Sequence, residues 1–381
     1  MSEYLLKDIT ELIVDCPHST ANDEGKGYPL VRTPNIGKGR LVYQGMHRVS
    51  EEVYNKRNQR AVPQENDLIF AREATAGNVA LIQKGEKVCL GQRTVLIRPN
   101  KSLVDPAYLT YLLLAPKQQY NLLGTANGAT VAHVNLPTIR NLKLELPDLE
   151  VQHRIATILS RYDTLIENYQ KQIKLLEEAA QRLYKEWFVE LRFPGRENTK
   201  MVDGLPEGWE ITKLGQLAEF KRGKTITKKE AVEGNIPVVA GGLEPAYYCD
   251  MSNTTNRVIT ISGSGANAGY TRMYFEKVWA SDCSFVDTST TDYLHFVFCF
   301  LRENKTVIDN MQKGAAQPHV YAKDINALEV LSPTKVILSL FEQKASKIFD
   351  IIASKQSQIR LLAEARDRLL PRLMGGELLK Q

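Results

Sequence analysis

Two glycine-containing patterns in the sequence have residue types that could bind phosphate groups, and both are incomplete. Residues 218–225 (AEFKRGKT) meet the loosest form of a nucleotide-binding loop, yet they lack the loop glycine and follow no clear buried strand. We interpret this segment as a basic turn, extended by Lys228 and Lys229, that faces phosphates of a different kind. Gly263, Gly265 and Gly269 are spaced unlike a dinucleotide-binding fingerprint, so we expect a turn between two strands there.

The sequence shows no complete catalytic or metal-binding motif. It has no Asn-Pro-Pro-aromatic motif for amino-methylation of bases, no H-E-x-x-H, no G-x-S-x-G and no nuclease carboxylate set. The five cysteines form no C-x-x-C pair, and His133 and His319 each stand alone, so we expect these histidines to cap or pack. We therefore predict no catalytic residue, no metal site and no cofactor on this chain, and reduced thiols in a cytoplasmic protein without a membrane span.

Basic side chains gather in the loops between the predicted strands, and several of them neighbour Asn or Gln. Arg, Asn and Gln can read base edges through paired hydrogen bonds, although most single surface charges only solvate a fold. The net charge of +5 permits an anionic partner without requiring one. The residues predicted to contact DNA are Arg32, Lys38, Arg40, Arg48, Arg57, Arg60, Arg72, Arg93, Lys221, Arg222, Lys224, Lys228, Lys229, Arg257, Arg272, Lys313 and Gln317.

Two long helices are predicted to position these loops. They are related, because one helix sequence returns almost unchanged later in the chain. Residues 172–183 (QIKLLEEAAQRL) and 358–369 (QIRLLAEARDRL) are identical at eight of twelve positions with an offset of 186. The same offset aligns His133 with His319, so the chain is a tandem duplication. The length of 381 residues leaves room for two or three domains.

The apolar residues of these helices recur every seven positions, which predicts a coiled coil. The predicted seam consists of Ile155, Ile158, Tyr162, Leu165, Tyr169, Leu176, Leu183, Phe341, Ile348, Ile351, Leu362 and Leu369. A further apolar column is predicted to bind a partner protein: Leu159, Ile166, Ile173, Trp187, Ile352 and Ile359. We favour an antiparallel pair, and the alternative is that both helices lie inside one globular core.

The segments before each helix are predicted to be rich in short strands. In the first copy the strands are predicted at residues 28–31, 41–43, 67–70, 79–82 and 94–97, with a helix at 107–114. In the second copy, residues 236–239 and 292–301 answer residues 28–31 and 105–114. Between these anchors the two copies diverge, which suggests one task performed on two different targets.

Several longer motifs resemble the specificity subunit of type I restriction-modification enzymes, and the resemblance covers nearly all of the chain. These motifs are DLEVQHRIATILSRYDTLIE at 148–167, LYKEWFVELRFPG at 183–195, LPEGWEITKLGQLAEF at 205–220, GAAQPHV at 314–320 and LLPRLMGGEL at 369–378. The second helix departs from the first where it begins, with SPTKVILSLFEQ in place of LPDLEVQHRIAT, so its partner site is expected to differ.

The resemblance implies an α+β fold in which two mixed, strand-rich target-recognition domains are separated by an antiparallel coiled coil, as a pseudo-twofold tandem repeat. The expected divisions are target-recognition domain 1 at 1–150, spacer helix 1 at 151–190, a connector at 191–206, target-recognition domain 2 at 207–333, spacer helix 2 at 334–371 and a tail at 372–381 packing near domain 1.

The resemblance also implies a non-catalytic subunit that acts in defence against foreign DNA. Each domain would read one half of a bipartite, asymmetric site in double-stranded DNA, while the helices set the gap and dock two methyltransferase (modification) subunits. Motor-nuclease (restriction) subunits would join that complex, and S-adenosylmethionine, ATP and Mg would bind the partner subunits. Two alternatives are a coiled-coil scaffold without DNA readout and a DNA-modifying enzyme, which the absent catalytic motifs disfavour.

Overall fold

A computed structural model of the protein describes residues 2–124, 133–312 and 318–376. The chain divides into two compact units, one of residues 1–168 with 359–381 and the other of residues 169–358. Each unit therefore combines one strand-rich domain with a part of each long helix.

Short strands and helices precede the first long helix. The strands are β1 (Ser2–Leu5), β2 (Thr10–Asp15), β3 (Tyr28–Val31), β4 (His47–Val49), β5 (Leu68–Ala71), β6 (Val79–Leu81), β7 (Cys89–Leu90), β8 (Thr94–Pro99) and β9 (Lys143–Leu146). The helices are α1 (Glu51–Arg57), α2 (Pro106–Leu114), α3 (Pro116–Leu123), α4 (Leu136–Arg140) and α5 (Leu149–Tyr184), which continues into a π-helical turn at Lys185–Val189.

The main sheet of the first unit has the antiparallel order β2-β8-β5-β6 and is buried on both faces. Alternate residues of a strand point to opposite faces. Leu68 and Phe70 accordingly belong to one apolar cluster with the helices, whereas Ile69 and Ala71 belong to another with Val31 of the smaller β4-β3-β7 sheet.

The second half of the chain contains the following elements. The strands are β10 (Met201–Val202), β11 (Leu205–Pro206), β12 (Glu210–Lys213), β13 (Lys221–Arg222), β14 (Ile236–Val239), β15 (Tyr247–Cys249), β16 (Val258–Ser262), β17 (Thr271–Tyr274), β18 (Trp279–Ala280), β19 (Cys283–Asp287) and β20 (Glu329–Ser332). The helices are α6 (Leu214–Leu217), α7 (Leu294–Glu303), α8 (Lys305–Asn310), α9 (Ala322–Asn326) and α10 (Lys335–Met374).

The second unit repeats the sheet topology of the first. Its main sheet has the order β13-β19-β16-β17, its smaller sheet the order β15-β14-β18, and β12 pairs with β20 as β1 pairs with β9. In both smaller sheets the central strand has one antiparallel and one parallel neighbour. The tandem repeat and the α+β class predicted from the sequence are therefore confirmed.

Most of the predicted strands are present, and one is wrong. Segments 28–31, 67–70, 79–82 and 94–97 correspond to β3, β5, β6 and β8, and the predicted helix corresponds to α2. Residues 41–43 form no strand, because the chain turns tightly there and the Gly37 amide donates to the Arg40 carbonyl at 3.0 Å. Leu41 makes only an isolated bridge to Ile36.

The long helices α5 and α10 run in opposite directions where they pack in the first unit. Leu159 shares an apolar cluster with Leu373, and four residues further along α5 the Asp163 carboxylate accepts a hydrogen bond from Arg366 at 2.6 Å. A later position on α5 thus meets an earlier position on α10.

The same direction holds in the second unit. The ammonium of Lys355 lies 4.7 Å from the centroid of the Tyr169 ring, and the rings of Tyr184 and Phe341 are 6.2 Å apart. Antiparallel packing is therefore found in the helix segments of both units.

Three residues of the predicted seam are wrong. Ile158, Leu165 and Ile351 have 38%, 36% and 47% of their surface exposed, so they do not form a buried contact. The remaining seam residues are buried or half-buried: Ile155, Tyr162, Tyr169, Leu176, Leu183, Phe341, Ile348, Leu362 and Leu369.

Burial contradicts the partner-binding role of three residues in the column assigned to a partner protein. Leu159, Trp187 and Ile352 are at most 5% exposed. The other three, Ile166, Ile173 and Ile359, are half-buried. This column alternates with the retained seam column at spacings of three and four residues, which is the a/d pattern of a coiled coil.

In the described part of the chain, no helix is both long and apolar enough to cross a membrane.

Candidate nucleic-acid interface

In the first unit, loops attached to β2, β5 and β8 meet at the place where these strands begin or end. We call this place the edge of the main sheet. Strand β8 runs antiparallel to both β2 and β5, so its beginning lies beside their ends. The topology therefore brings together Asp15 at the end of β2, Arg72 just after β5 and Arg93 just before β8.

Arg72 is held inside this edge and is not available to DNA, which corrects its predicted role. One guanidinium nitrogen lies 2.9 and 3.0 Å from the two carboxylate oxygens of Asp15, and Nε donates to the Val134 carbonyl at 3.0 Å. The other terminal nitrogen lies 3.1 Å from Nε2 of His133, whose Nδ1 lies 2.6 Å from Glu73. His133 is therefore a polar link and not an isolated cap.

Arg93 ends this chain of contacts at the protein surface. Its side chain is 62% exposed and lies 2.6 Å from the second oxygen of Glu73. The backbone φ of Arg93 is +64°, a left-handed conformation that is uncommon outside glycine. Such conformations persist where the surrounding structure fixes them, and they cluster at functional sites.

A cavity of about 190 Å³ lies beside Arg93. It is lined by Thr20, Arg32, Gln92 and Arg93 among others. Arg32 donates to the Gly45 carbonyl at 2.9 Å, while its Nε is buried with no hydrogen-bond partner among the described residues. The cavity thus offers the guanidinium and amide groups that suit anions and base edges.

The corresponding edge in the second unit carries exposed cations. Lys221 and Arg222 form β13, the outermost strand of the main sheet, and Lys224, Lys228 and Lys229 follow it in a segment without helix. All five side chains are exposed. None of them forms a salt bridge within the part of the chain that the structure describes. The expected basic turn is present here, and no helix begins at it as a nucleotide-binding loop requires.

Backbone hydrogen bonds show which residues are equivalent in the two units. The amide of Val134 donates to the Arg72 carbonyl, and the amide of Val320 donates to the Gly263 carbonyl. Gly263 therefore occupies the place of Arg72.

A second pair of hydrogen bonds matches Arg93 with Asp282. The Arg72 amide donates to the Arg93 carbonyl, as the Gly263 amide donates to the Asp282 carbonyl. The ladder registers likewise match Asp15 with Arg222.

Because Gly263 has no side chain, a cavity of about 90 Å³ is open where Arg72 lies in the first unit. Its lining includes Arg222, Ser264, Asp282 and His319. The Ser264 hydroxyl donates to the Asp282 carboxylate. The glycine pattern that begins at Gly263 forms the turn between β16 and β17, as expected.

Burial contradicts one further predicted DNA contact, and two more are ion-paired with the long helices. Arg57 is 6% exposed, and its Nε donates to the Leu90 carbonyl at 2.6 Å. Burial in this apolar setting lowers the pKa of Arg57. Arg40 lies 2.5 Å from Glu167, and Arg257 pairs with Asp350, so both attach a domain loop to a long helix.

The remaining predicted contacts lie at or near the surface. Lys38, Arg48 and Arg60 are exposed, and the latter two donate to the carbonyls of Gly27 and Asp15. Arg272 is half-buried, with its guanidinium 4.7 Å from the Tyr274 ring centroid. The predicted contacts Lys313 and Gln317 lie outside the described residues.

Sequence reasoning did not single out Glu73, Ser264 or Asp282. The offset of 186 that pairs His133 with His319 could have pointed to these residues, because each histidine adjoins the sheet edge of its own unit. All five cysteines are free and buried. Among the described residues, no three His, Cys, Asp or Glu side chains are grouped so that they could hold a metal ion.

Comparison with known proteins decides the family. The profile of the type I restriction modification DNA specificity domain matches residues 2–178 and again residues 206–363. The chain belongs to this family. Its two matched segments are two specificity domains in tandem, and they contain the two sheets whose edges are equivalent.

Individual members of the family are similar over most of their length. The MjaIX specificity subunit of Methanocaldococcus jannaschii is 27% identical, with 98% of this chain and 92% of that protein covered. The HindI specificity subunit of Haemophilus influenzae is 23% identical over 74% of this chain and 80% of its own. The crystal structure of an S subunit from M. genitalium, at 16% identity, has the same fold with a TM-score of 0.55 and covers 98% of this chain and 95% of its own.

Proposed function

We propose that each domain of this specificity chain reads one half of a bipartite, asymmetric site in double-stranded DNA. The observation that supports this proposal is the pair of equivalent sheet edges, which share a backbone frame but differ in side-chain chemistry. Arg93 and Gln92 stand at one edge, and Ser264 and Asp282 at the other. Two frames with different polar groups suit the reading of two different base sequences.

Cations around these edges would supply most of the affinity by contacting phosphates. Binding by phosphate contacts is independent of sequence and weakens as salt rises. The five exposed cations at residues 221–229 are the strongest candidates, since they form no salt bridge among the described residues.

The partners follow from the same proposal. Two methyltransferase subunits would dock on the helices and domains, and motor-nuclease subunits would join that complex. The chain itself would be non-catalytic and act in the cytoplasm, with S-adenosylmethionine, ATP and Mg bound by the partner subunits. Because the predicted partner column Leu159, Trp187 and Ile352 is buried, a partner would meet other residues of the helices.

The test is to co-express the chain with the methyltransferase subunit encoded in the same host and to map methylated bases across the genomic DNA. We expect a single motif of two short defined halves separated by a fixed unread gap. A complex that forms without sequence-dependent methylation would support a scaffold role instead. Methylation by the chain alone would contradict its non-catalytic role.

A further inference from the structure

Arg93 and Asp282 occupy equivalent places at the two sheet edges but have opposite charges. Arg93 lies just before β8, and Asp282 lies just before β19. The Arg93 carbonyl accepts a hydrogen bond from the Arg72 amide, as the Asp282 carbonyl does from the Gly263 amide. The two backbones therefore match, whereas the side chain is a guanidinium in the first unit and a carboxylate in the second.

Each of the two side chains is also held by an equivalent neighbour. Glu73 and Ser264 directly follow Arg72 and Gly263, and they contact Arg93 and Asp282 respectively. Glu73 is in turn fixed by His133 at 2.6 Å. A polar group held in this way loses less conformational freedom on binding than a free surface side chain.

The inversion of charge separates base reading from phosphate binding. The phosphate backbone has the same charge along both half-sites, so a carboxylate at a phosphate-contacting position would be repelled. Base edges do differ, since guanine presents two acceptors in the major groove while adenine and cytosine present an amino donor. A position that is a donor in one copy and an acceptor in the other therefore suits base edges.

We propose that Arg93 and Asp282 are specificity-determining residues that read one base each. Arg93 donates to O6 and N7 of a guanine in the half-site of the first domain. Asp282 accepts a hydrogen bond from the exocyclic amino group of a cytosine or an adenine in the other half-site. This inference rests on the proposed DNA-reading function of both domains.

The test uses the full chain co-expressed with its methyltransferase partner, and the readout is the methylated sequence. We expect Arg93→Ala to relax one guanine position of one half-site, with roughly a 5- to 150-fold loss of discrimination there. Arg93→Lys retains the charge but not the planar fork, so it should relax the same position partly. Asp282→Ala should relax one position of the other half-site, and the wild-type base at that position distinguishes cytosine from adenine.

Matched controls separate these effects from general weakening. Lys143→Ala removes an exposed, ion-paired cation on the β1–β9 ladder, and Asp309→Asn changes a half-exposed, ion-paired carboxylate on α8. Both variants should leave the methylated motif unchanged.

Three results would separate the two levels of the proposal. Uniform loss of methylation at all sequences after Arg93→Ala, with methylation restored by the equally charged Arg93→Lys, would assign Arg93 to phosphate and overturn the inference. An unchanged motif in soluble, folded Arg93→Ala and Asp282→Ala complexes would also overturn it. If the wild-type complex methylates no bipartite motif, the proposed function itself fails first.

Discussion

At the scale of single residues, Arg57 shows what burial does to a predicted DNA contact. Within the part of the chain that the structure describes, its guanidinium is enclosed without a carboxylate partner, and one terminal nitrogen lacks a hydrogen bond. We expect Arg57→Met to lower the free energy of unfolding by about 1–3 kcal/mol, because the Leu90 carbonyl loses its donor. The salt dependence of DNA binding should not change in this variant. A flatter salt dependence in a fluorescence anisotropy titration would show that Arg57 contacts DNA.

The thiols give a second prediction at this scale. Burial raises the pKa of Cys89 to about 11 and that of Cys283 to about 12, so their reactive thiolates are scarce at pH 8. Iodoacetamide should therefore leave the cysteines of the native chain unlabelled in the time that labels them fully in urea. Lys174→Cys, at a position whose side chain is 79% exposed, provides a control that should react quickly. Rapid labelling of Cys283 in the native chain would contradict its burial.

Residue type alone could not separate Arg57, Arg72 and Arg93, because all three are arginines close to predicted strands. The sequence predicted that Arg93 and the basic turn of residues 221–229 lie in loops, and both are exposed at the sheet edges. It could not show that Arg72 turns inward, because the partners Asp15 and His133 lie 57 and 61 residues away in sequence.

At the scale of elements, the helices show how a heptad pattern can be assigned to the wrong register. In α5, Ile155 is three residues before Ile158 and four before Leu159, and both spacings fit a coiled-coil seam. The register with Ile158 continues through Gln172 and Ala179, whereas the register with Leu159 continues through Ile166, Ile173 and Ala180. The second register buries more apolar surface, and the structure adopts it.

A buried ion pair between the helices gives a prediction for the same element. Asp163 and Arg366 are 3% and 14% exposed, and the Tyr111 hydroxyl also donates to Asp163 at 2.5 Å. Burial disfavours the charge of Arg366, yet the Asp163 and Asp367 carboxylates outweigh it and raise its pKa. Removing one partner of a buried pair costs about 3–5 kcal/mol when the other charge is left unpaired. Arg366 keeps the more exposed Asp367 carboxylate, so the lower end of this range is expected.

We therefore expect Asp163→Ala to lower the free energy of unfolding of the chain by that amount in urea titrations. Glu364→Ala is the matched control, because Glu364 pairs with Arg360 on the exposed face of α10. That change should cost no more than about 0.5 kcal/mol. Similar losses in the two variants would show that the Asp163 pair contributes little.

The basic turn after β13 gives a prediction about phosphate contacts. If Lys221, Arg222, Lys224, Lys228 and Lys229 contact the DNA backbone, changing them together to Ala should weaken binding for every sequence. The slope of log K against log salt should also flatten by about one unit for each lost contact. The experiment is a salt series of binding isotherms with the methyltransferase complex on specific and unrelated duplexes. A loss confined to the specific duplex, with an unchanged slope, would argue against phosphate contacts.

At the scale of the whole molecule, the tandem repeat could be recognised from the helix sequences but not from the domain sequences. Eight of twelve positions are identical in the helix segments, and three of them, Ile173, Leu176 and Leu183, belong to the seam. Inside the domains only the strand frame is retained, and side chains at the edges differ even where backbones match, as at Arg72 and Gly263. The bases that are read depend on those edges, so the recognised sequence could not be predicted.

The last prediction concerns the length of the helices as the ruler between the two recognised half-sites. Inserting seven residues into both helices at the division between the units, after Asn168 and after Gln358, keeps the seam in register apart from a drift of about 20° per heptad. Each helix lengthens by about 10.5 Å at about 1.5 Å per residue. If the helix axis follows the duplex, the unread gap should widen by about three base pairs of about 3.4 Å each.

Both half-sequences should stay unchanged in the methylated DNA of this variant, because the insertions touch neither sheet edge. Insertions of two or five residues provide the control, since they rotate the apolar face away from its partner helix and should abolish assembly. An active heptad variant with an unaltered gap would show that the partner subunits, and not the paired helices, fix the spacing.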